Sequence, residues 1–335
     1  MADNTSKWWP LSRLIPHKTH IKFVSFAIPA GILSIILVAL STTVLVLSMM
    51  AFPKTHPLGL EFGVDFRGGN LIEIAAKKPI DLDQVRSAMG GLGLGDVQAQ
   101  DFGSPTSALV RFETPNGVNA ADLVERAQKT LKSNIPGIEV RRVESVGPKV
   151  SKELLTGGLL ALFGAIAIQL LYVWFRFEWQ FGMGAVASLL HDTMLTIGFL
   201  AVTKMEFTLT TIAALLTIIG YSMNDTVVVF DRFRENLRKY KKMSVPEVID
   251  LSLNETLSRT TVTASTALVA LVGLAAFGGP AMQPFALIMI FGIVLGTYSS
   301  IYVAAPAMLL FGVGSIRKTK AEKQAEDDAA AKART

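Results

Sequence analysis

Six stretches of mostly apolar residues divide this chain, at 24–52, 155–175, 180–202, 207–230, 260–279 and 284–311. A helix needs about 20 such residues to cross a bilayer, and in lipid only helices and closed barrels satisfy their own backbone. The chain is therefore predicted to be an α-helical membrane protein with six transmembrane helices. Composition agrees: 50% of the 335 residues are hydrophobic and 18% charged, with a mean hydropathy of +0.43, whereas soluble domains carry about 25% charge. The first stretch is too long for the core of a signal peptide and lacks a clear small-x-small cleavage site before Pro53, so it reads as an uncleaved anchor.

Basic residues set the orientation of such a chain. Lys7, Arg13, Lys18 and Lys22 precede the first span, and Arg317, Lys318, Lys320 and Lys323 follow the last. Arg232, Arg234, Arg238, Lys239, Lys241 and Lys242 lie between spans four and five. The turn "KMEF" (204–207) has one Lys, and "GGPAMQ" (278–283) has no charge. Six spans bring all the basic segments to one side, which predicts cytoplasmic termini at 1–20 and 315–335 and a loop, 53–150, on the opposite side. Residues 21–52 then form the first transmembrane helix and 151–314 carry the other five. The tail after Gly314 is rich in Ala, Lys and Glu and reads as disordered or as a frayed helix.

The loop at 53–150 is long enough for a small domain. "NLIEIAA" (70–76) alternates as a strand does, and "DLDQVRSAMGGL" reads as a helix stopped by Gly90 and Gly91. "VQAQDFG" and "SALVRFE" read as two strands joined by a turn at Gly103–Pro105. "NAADLVERAQKTLKSN" is a helix capped by Asn119, and "IEVRRVESVG" a last strand. The order βαββαβ predicts an inserted α+β, ferredoxin-like extracytoplasmic domain.

Conventional active sites find little support. No cysteine is present, which rules out disulfides and cysteine–metal sites. "GGLGLGD" (90–96) lacks G-x-G-x-x-G spacing and follows a helix. H-E-x-x-H, G-x-S-x-G and P-loop motifs are absent from the sequence, and His191–Asp192 lacks i,i+4 ligand spacing. No metal, cofactor or nucleic-acid site is expected, and no enzymatic activity.

Polar residues inside the apolar spans are the informative ones. Thr210, Thr217, Tyr221 and Asp225 share one helix face on span four, with Asn224 beside Asp225. Ser188, Asp192 and Thr196 do the same on span three, and Arg259 and Thr263 begin a third stripe on span five. Three polar stripes predict a hydrated seam inside a bundle. Asp225 lies six residues before Asp231, about 9 Å along a helix. Arg259, at the start of span five, is expected near the same depth, while Asp192 is expected nearer the middle of the membrane. Burial disfavours a charged carboxylate and a guanidinium favours it, so an Asp between both influences can change protonation. Arg259 keeps its proton and acts by charge alone. One proton crossing 100 mV is worth about 2.3 kcal/mol, roughly a fiftyfold bias on a conformational equilibrium. The competing reading makes these carboxylates interface pins that hold helices together.

Small residues suggest packing. Gly292, Gly296, Ser300 and Ala304 form a stripe on span six, and Gly157, Ala161, Ala165 and Gln169 one on span two. The segment 244–259 is expected to be a separate helix along the membrane, with Pro246 in its first turn.

Four separated motifs carry a resemblance. "FGVDFRGG" (62–69), "VESVGPKVSKELL" (143–155), "GYSMNDTVVVFDRFREN" (220–236) and "ETLSRTTVTA" (255–264) resemble, in order, signatures of the SecF branch of the SecD/SecF family, within the resistance-nodulation-division superfamily. The resemblance covers residues 20–315. It implies an accessory subunit of the bacterial Sec protein translocase in the inner membrane. With SecD it would use the proton motive force beside the SecYEG channel and the SecA motor, with YajC as a further partner, to promote export of preproteins. It also implies that Asp225 is the proton-linked carboxylate and Arg259 its partner. Asp65, Arg67, Gly68 and Gly69 fall in the outer-domain signature, where Asp65 and Arg67 read as a structural ion pair. An exporter of small lipophilic molecules is the alternative within the superfamily. It would carry two six-span halves and two large outer domains in one chain, against the one of each predicted here.

Overall fold

The computed structural model describes residues 19–50, 60–94, 97–102, 104–115 and 118–313. Lys7, Arg13, Lys18, part of the "GGLGLGD" segment and the tail from Gly314 lie outside them. In chain order the elements are a 3-10 turn at Phe23–Phe26, α1 (Ala27–Met50), β1 (Glu61–Phe62), α2 (Val64–Arg67), β2 (Gly69–Ala75), α3 (Leu82–Gly90), β3 (Gln98–Phe102), β4 (Ser104–Phe112), α4 (Ala120–Asn134) and β5 (Glu139–Val146). They continue with α5 (Pro148–Arg176), α6 (Trp179–Thr203), β6 (Glu206–Phe207), α7 (Leu209–Lys239), α8 (Val245–Phe277), α9 (Gly279–Ser299), a π-helical turn at Ser300–Ala304 and α10 (Ala305–Leu310). Two compact units result: residues 61–161 with 206–209, and a helical unit made of the rest.

The first unit is the expected α+β domain. Its sheet runs β3-β4-β2-β5, with each neighbouring pair antiparallel, the ferredoxin-like order. Local chemistry starts the helices. The Asp81 carboxylate accepts from the backbone N–H groups of Asp83 (2.9 Å) and Gln84 (3.3 Å), capping α3, and Asn119 accepts from Ala121 N–H (2.9 Å), capping α4. Alternate residues of β2 serve opposite faces. Ile72 and Ile74 join Val110, Phe112, Leu123 and Leu131 in the main core, while Leu71 packs with Val64 and Leu109. The β3–β4 hairpin is tighter than expected: Ser104 already pairs with Phe102, and Pro105 lies inside β4. Pro105 is tolerated because the β2 partners end at Ser107, so no ladder bond needs its missing N–H.

In the helical unit, six helices are long and apolar enough to cross a membrane, at Phe23–Leu47, Pro148–Arg176, Trp179–Thr203, Leu209–Lys239, Val245–Phe277 and Ala281–Leu310. Burial separates them. The most apolar stretches of α6, α7 and the α9–α10 span are 56%, 56% and 50% buried, against 6%, 11% and 11% for α1, α5 and α8. The first three form the centre. The stripe on span six is what brings them together: a Cβ on Gly296 would lie 2.9 Å from Ser222 Cβ, and Gly292 meets Ile218 closer still. On α6, a Cβ on Gly184 would lie 2.7 Å from the Ala304 carbonyl oxygen. The stripe on span two makes no such approach, since nothing lies within 4 Å of a Cβ on Gly157.

Three expected boundaries move. Residues 244–259 are not a separate surface helix but the first half of α8. A Ser244–Glu247 capping box and Pro246 start that helix, and no Gly or Pro interrupts it before Gly273. The charged stretch 231–239 is likewise helical, as the end of α7. It is held to α8 by Arg232–Glu255 (2.7 Å), Asn236–Glu255 (2.6 Å) and Asn236–Ser252 (3.1 Å). The expected loop 278–283 shrinks to a cap at Gly278, after which Gly279, at φ +74°, opens α9.

Candidate functional site

Two buried aspartates face the centre of the helical unit, and they stand in opposite states. Asp192, 1% exposed on α6, is fully partnered. Its Oδ1 meets His191 Nδ1 at 2.9 Å, and its Oδ2 accepts from Ser222 Oγ (2.5 Å) on α7 and Ser299 Oγ (2.7 Å) at the end of α9. Ser188 donates to Ser299 at 3.0 Å, and Thr226 shares a 3.0 Å hydrogen bond with Ser300. One carboxylate thus ties three helices. The π turn that begins at Ser300 has a physical cause, because Pro306 has no N–H to return to the preceding turn.

Asp225 is 2% exposed on α7, and its Oδ2 has no hydrogen-bond partner. The Tyr221 hydroxyl, one turn earlier, also lacks one. Arg259 on α8 is near enough to act on Asp225 electrostatically, but among the described residues no ion pair joins them. Asp225 is fourteen residues before Lys239, the end of α7, and Arg259 fourteen after Val245, the start of α8. Each is therefore about 21 Å along its helix from the α7–α8 turn. The two residues are thus equally far along their helices from the turn, and Arg259 sits well inside α8 rather than at its start.

The expected seam is redrawn in part. Ser188 and Thr196 are buried beside Asp192, with Thr196 Oγ1 donating to the Asp192 carbonyl at 2.7 Å. Thr210, Thr217 and Asn224 are exposed, and Thr217 donates to its own helix at Ala213 O (2.8 Å). Thr263 similarly returns to Arg259 O (2.9 Å). Ser222 and Thr226 are further buried polar residues of α7 that the expected stripes do not include. Their i,i+4 spacing opposite Gly296 and Ser300 was the available signal.

The outer signature has a clear local geometry within the α+β unit. Gly68 and Gly69 hold φ of +76° and +97°, which turns α2 into β2, and a Cβ on Gly69 would lie 2.8 Å from the Phe112 carbonyl oxygen. The expected Asp65–Arg67 ion pair does not form. Asp65 Oδ2 instead accepts from the Leu209 N–H at 2.9 Å, at the first residue of α7. Arg67 lies near Arg111, Glu61 and Glu206, and burial beside Arg111 lowers its pKa. β1 pairs in parallel with β6, and Gly63 N–H donates to Phe207 O at 2.9 Å. Phe207 packs on Phe62 and Phe66 at 5.7 and 5.6 Å between ring centres, and Arg111 bonds Glu206.

Comparison with known proteins agrees with this architecture. The family model for the C-terminal region of SecD/SecF protein export membrane proteins matches residues 126–313, and the SecD/SecF GG motif matches 58–80. The protein translocase subunit SecF of Rickettsia bellii is 43% identical over 304 residues, 90% of this chain and 97% of the relative. That of Rickettsia felis is 42% identical over 316 residues, 94% and 99% respectively. A crystal structure of a Thermus SecDF, described as a translocon-associated membrane protein, superposes with a TM-score of 0.76 at 29% identity over 90% of this chain. The chain spans 39% of the length of that SecDF. None of these names is that of an enzyme. The chain is a multi-pass membrane protein with a role in Sec protein translocation, and it belongs to the SecD/SecF family.

Proposed function

We propose that this chain acts with SecD as a proton-driven subunit of the bacterial Sec translocase, promoting the export of preproteins across the inner membrane. Asp225 carries the reading. An intramembrane carboxylate is functional by default, and this one is 2% exposed with one oxygen unpartnered. Asp192 shows that the same bundle satisfies an aspartate completely when it serves as a pin. The unpartnered oxygen of Asp225 is the place for a proton, and Arg259 is the fixed charge that makes the two protonation states differ in energy.

The distribution of Lys and Arg supports cytoplasmic termini and an extracytoplasmic α+β domain. A six-span chain with α1, α5 and α8 largely uncovered fits one half of a two-repeat transporter. The greater length of the Thermus SecDF chain supports SecD as the other half. SecYEG, SecA and YajC are the remaining partners of this reading. The site near Asp192 is proposed as scaffold rather than as part of the proton path.

Replacing Asp225 with Asn, in membranes that hold the assembled complex, tests it. Preprotein export should lose its stimulation by a proton gradient while gradient-independent export continues. Undiminished stimulation with the complex intact would leave Asp225 a structural residue.

A further inference from the structure

We propose that the signature segment 62–69 is a clasp that fixes the start of α7, with Asp65 supplying that helix's N-terminal cap from a distant part of the chain. The first N–H groups of any helix lack partners within it and carry partial positive charge. The Asp65 carboxylate answers both needs at Leu209, across 144 positions of sequence. The other contacts converge on the same four residues, 206–209. The β1–β6 ladder and the Gly63–Phe207 hydrogen bond set the register. Phe62 and Phe66 enclose Phe207, and Arg111 holds Glu206. Gly63 allows the closure, since a Cβ there would lie 2.6 Å from Thr208 Cγ2.

The gripped residues 206–209 belong to the α+β unit but lie apart from its main core. The domain's main core is built from β2, β3, β4, α3, α4 and their connections, and no residue of 206–209 belongs to it. A ladder of two residues has little stability by itself, so the segment is held by side chains chosen to grip it. The gripped Leu209 is the first residue of α7, one unbroken helix to Lys239 that carries Asp225 sixteen residues along. Asp65 is thus a positioning residue. Its bearing on Asp225 runs through the continuous chain of α7 and rests on the reading of Asp225 given above.

The natural chain has no cysteine, so Glu61→Cys with Glu206→Cys, residues in register across the ladder, gives a single engineered cross-link. All comparisons are made in full-length chain within the assembled complex. Within the cysteine-pair background, adding Asp65→Ala should slow disulfide formation roughly tenfold, the shift expected from losing one helix cap. Asp65→Asn, which still presents an oxygen to Leu209, should not. In the chain without cysteines, Asp65→Ala should lose most gradient-stimulated export at unchanged gradient-independent export, and Asp65→Asn should retain it. Oxidising the cysteine pair in the Asp65→Ala chain should restore the stimulation. Cross-linking unaffected by Asp65→Ala, an Asn variant as defective as Ala, or a locked chain that stays defective would each overturn the proposal. If Asp225→Asn leaves stimulation intact, the proton reading fails. The clasp is then judged by the cross-linking rates alone.

Discussion

Glu73, in the middle of β2, shows what a single buried charge costs. It is 0% exposed, and neither carboxylate oxygen has a hydrogen-bond partner. Arg142 lies opposite it in the β2–β5 ladder, with Arg141 and Glu144 adjacent. Burial pushes its pKa above the ordinary carboxylate range even though both arginines pull it down. The folded state therefore holds this proton more tightly than the unfolded state. The group's contribution to stability is greatest below the unfolded pKa and falls as pH rises through the raised folded value. Amide hydrogen exchange across β2, corrected for its intrinsic pH dependence, should accordingly slow in the wild type as pH falls through that raised value. Glu73→Gln should abolish that dependence and protect β2 at least as well as Glu73 at neutral pH. Faster exchange in the Gln variant would mean that the arginines stabilise the charged form after all.

Helices in this protein owe their lengths to caps and breakers and their partners to small residues. α8 runs on through a polar stretch because Ser244 and Glu247 start it and the next glycine is Gly273. The stripe Gly292–Gly296–Ser300 lets α9 and the π turn come close to α7, where Gly296 would place a Cβ 2.9 Å from Ser222 Cβ. Gly296→Val should therefore strain the pair by about 1–3 kcal/mol and lower the melting temperature of the purified chain in detergent. Gly157→Val on α5, with nothing within 4 Å of a new Cβ, is the matched control and should leave that temperature unchanged. Equal effects from both would show that valine in a helix, not the close approach, is responsible.

At the scale of the whole molecule, one bundle holds its two aspartates differently: both Asp192 oxygens are partnered, while Asp225 Oδ2 is not. Asp192 joins α6, α7 and the end of α9 through Ser222 and Ser299. Asparagine at 192 can still accept from both serines, so Asp192→Asn should assemble and keep gradient-stimulated export. Asp192→Ala takes that acceptor from the buried Ser222 hydroxyl and leaves Ser299 its bond to the Gly296 carbonyl (3.1 Å), a loss of about 1–3 kcal/mol for the unsatisfied group. It should lower the yield of folded chain, as read by size-exclusion of detergent extracts. The pairing of Asp192→Asn with Asp225→Asn tests the proposed division of roles: only the second should lose stimulation. An Asp192→Asn chain that assembles but ignores the gradient would extend the proton path into α6.

The six spans, the α+β insertion and the cap at Asn119 were legible in the sequence because each depends on residues close together in the chain. Hydrophobic length, strand alternation and a side chain two positions from its N–H are local properties. The same locality explains why 244–259 reads as a separate surface helix: its polar pattern gives no sign that the helix continues into the next span. Asp225 was legible as a carboxylate out of place, since cost in lipid depends on position alone. Its lack of a partner was not, nor was the full satisfaction of Asp192. Ser299 reaches Asp192 across 107 positions, and Asp65 reaches Leu209 across 144. A buried polar atom is satisfied or left unpartnered by whatever the fold brings within about 3 Å of it. That proximity is set by how helices and strands pack, so the tertiary structure alone decided which aspartate is fully partnered, which keeps an unpartnered oxygen, and which caps a distant helix.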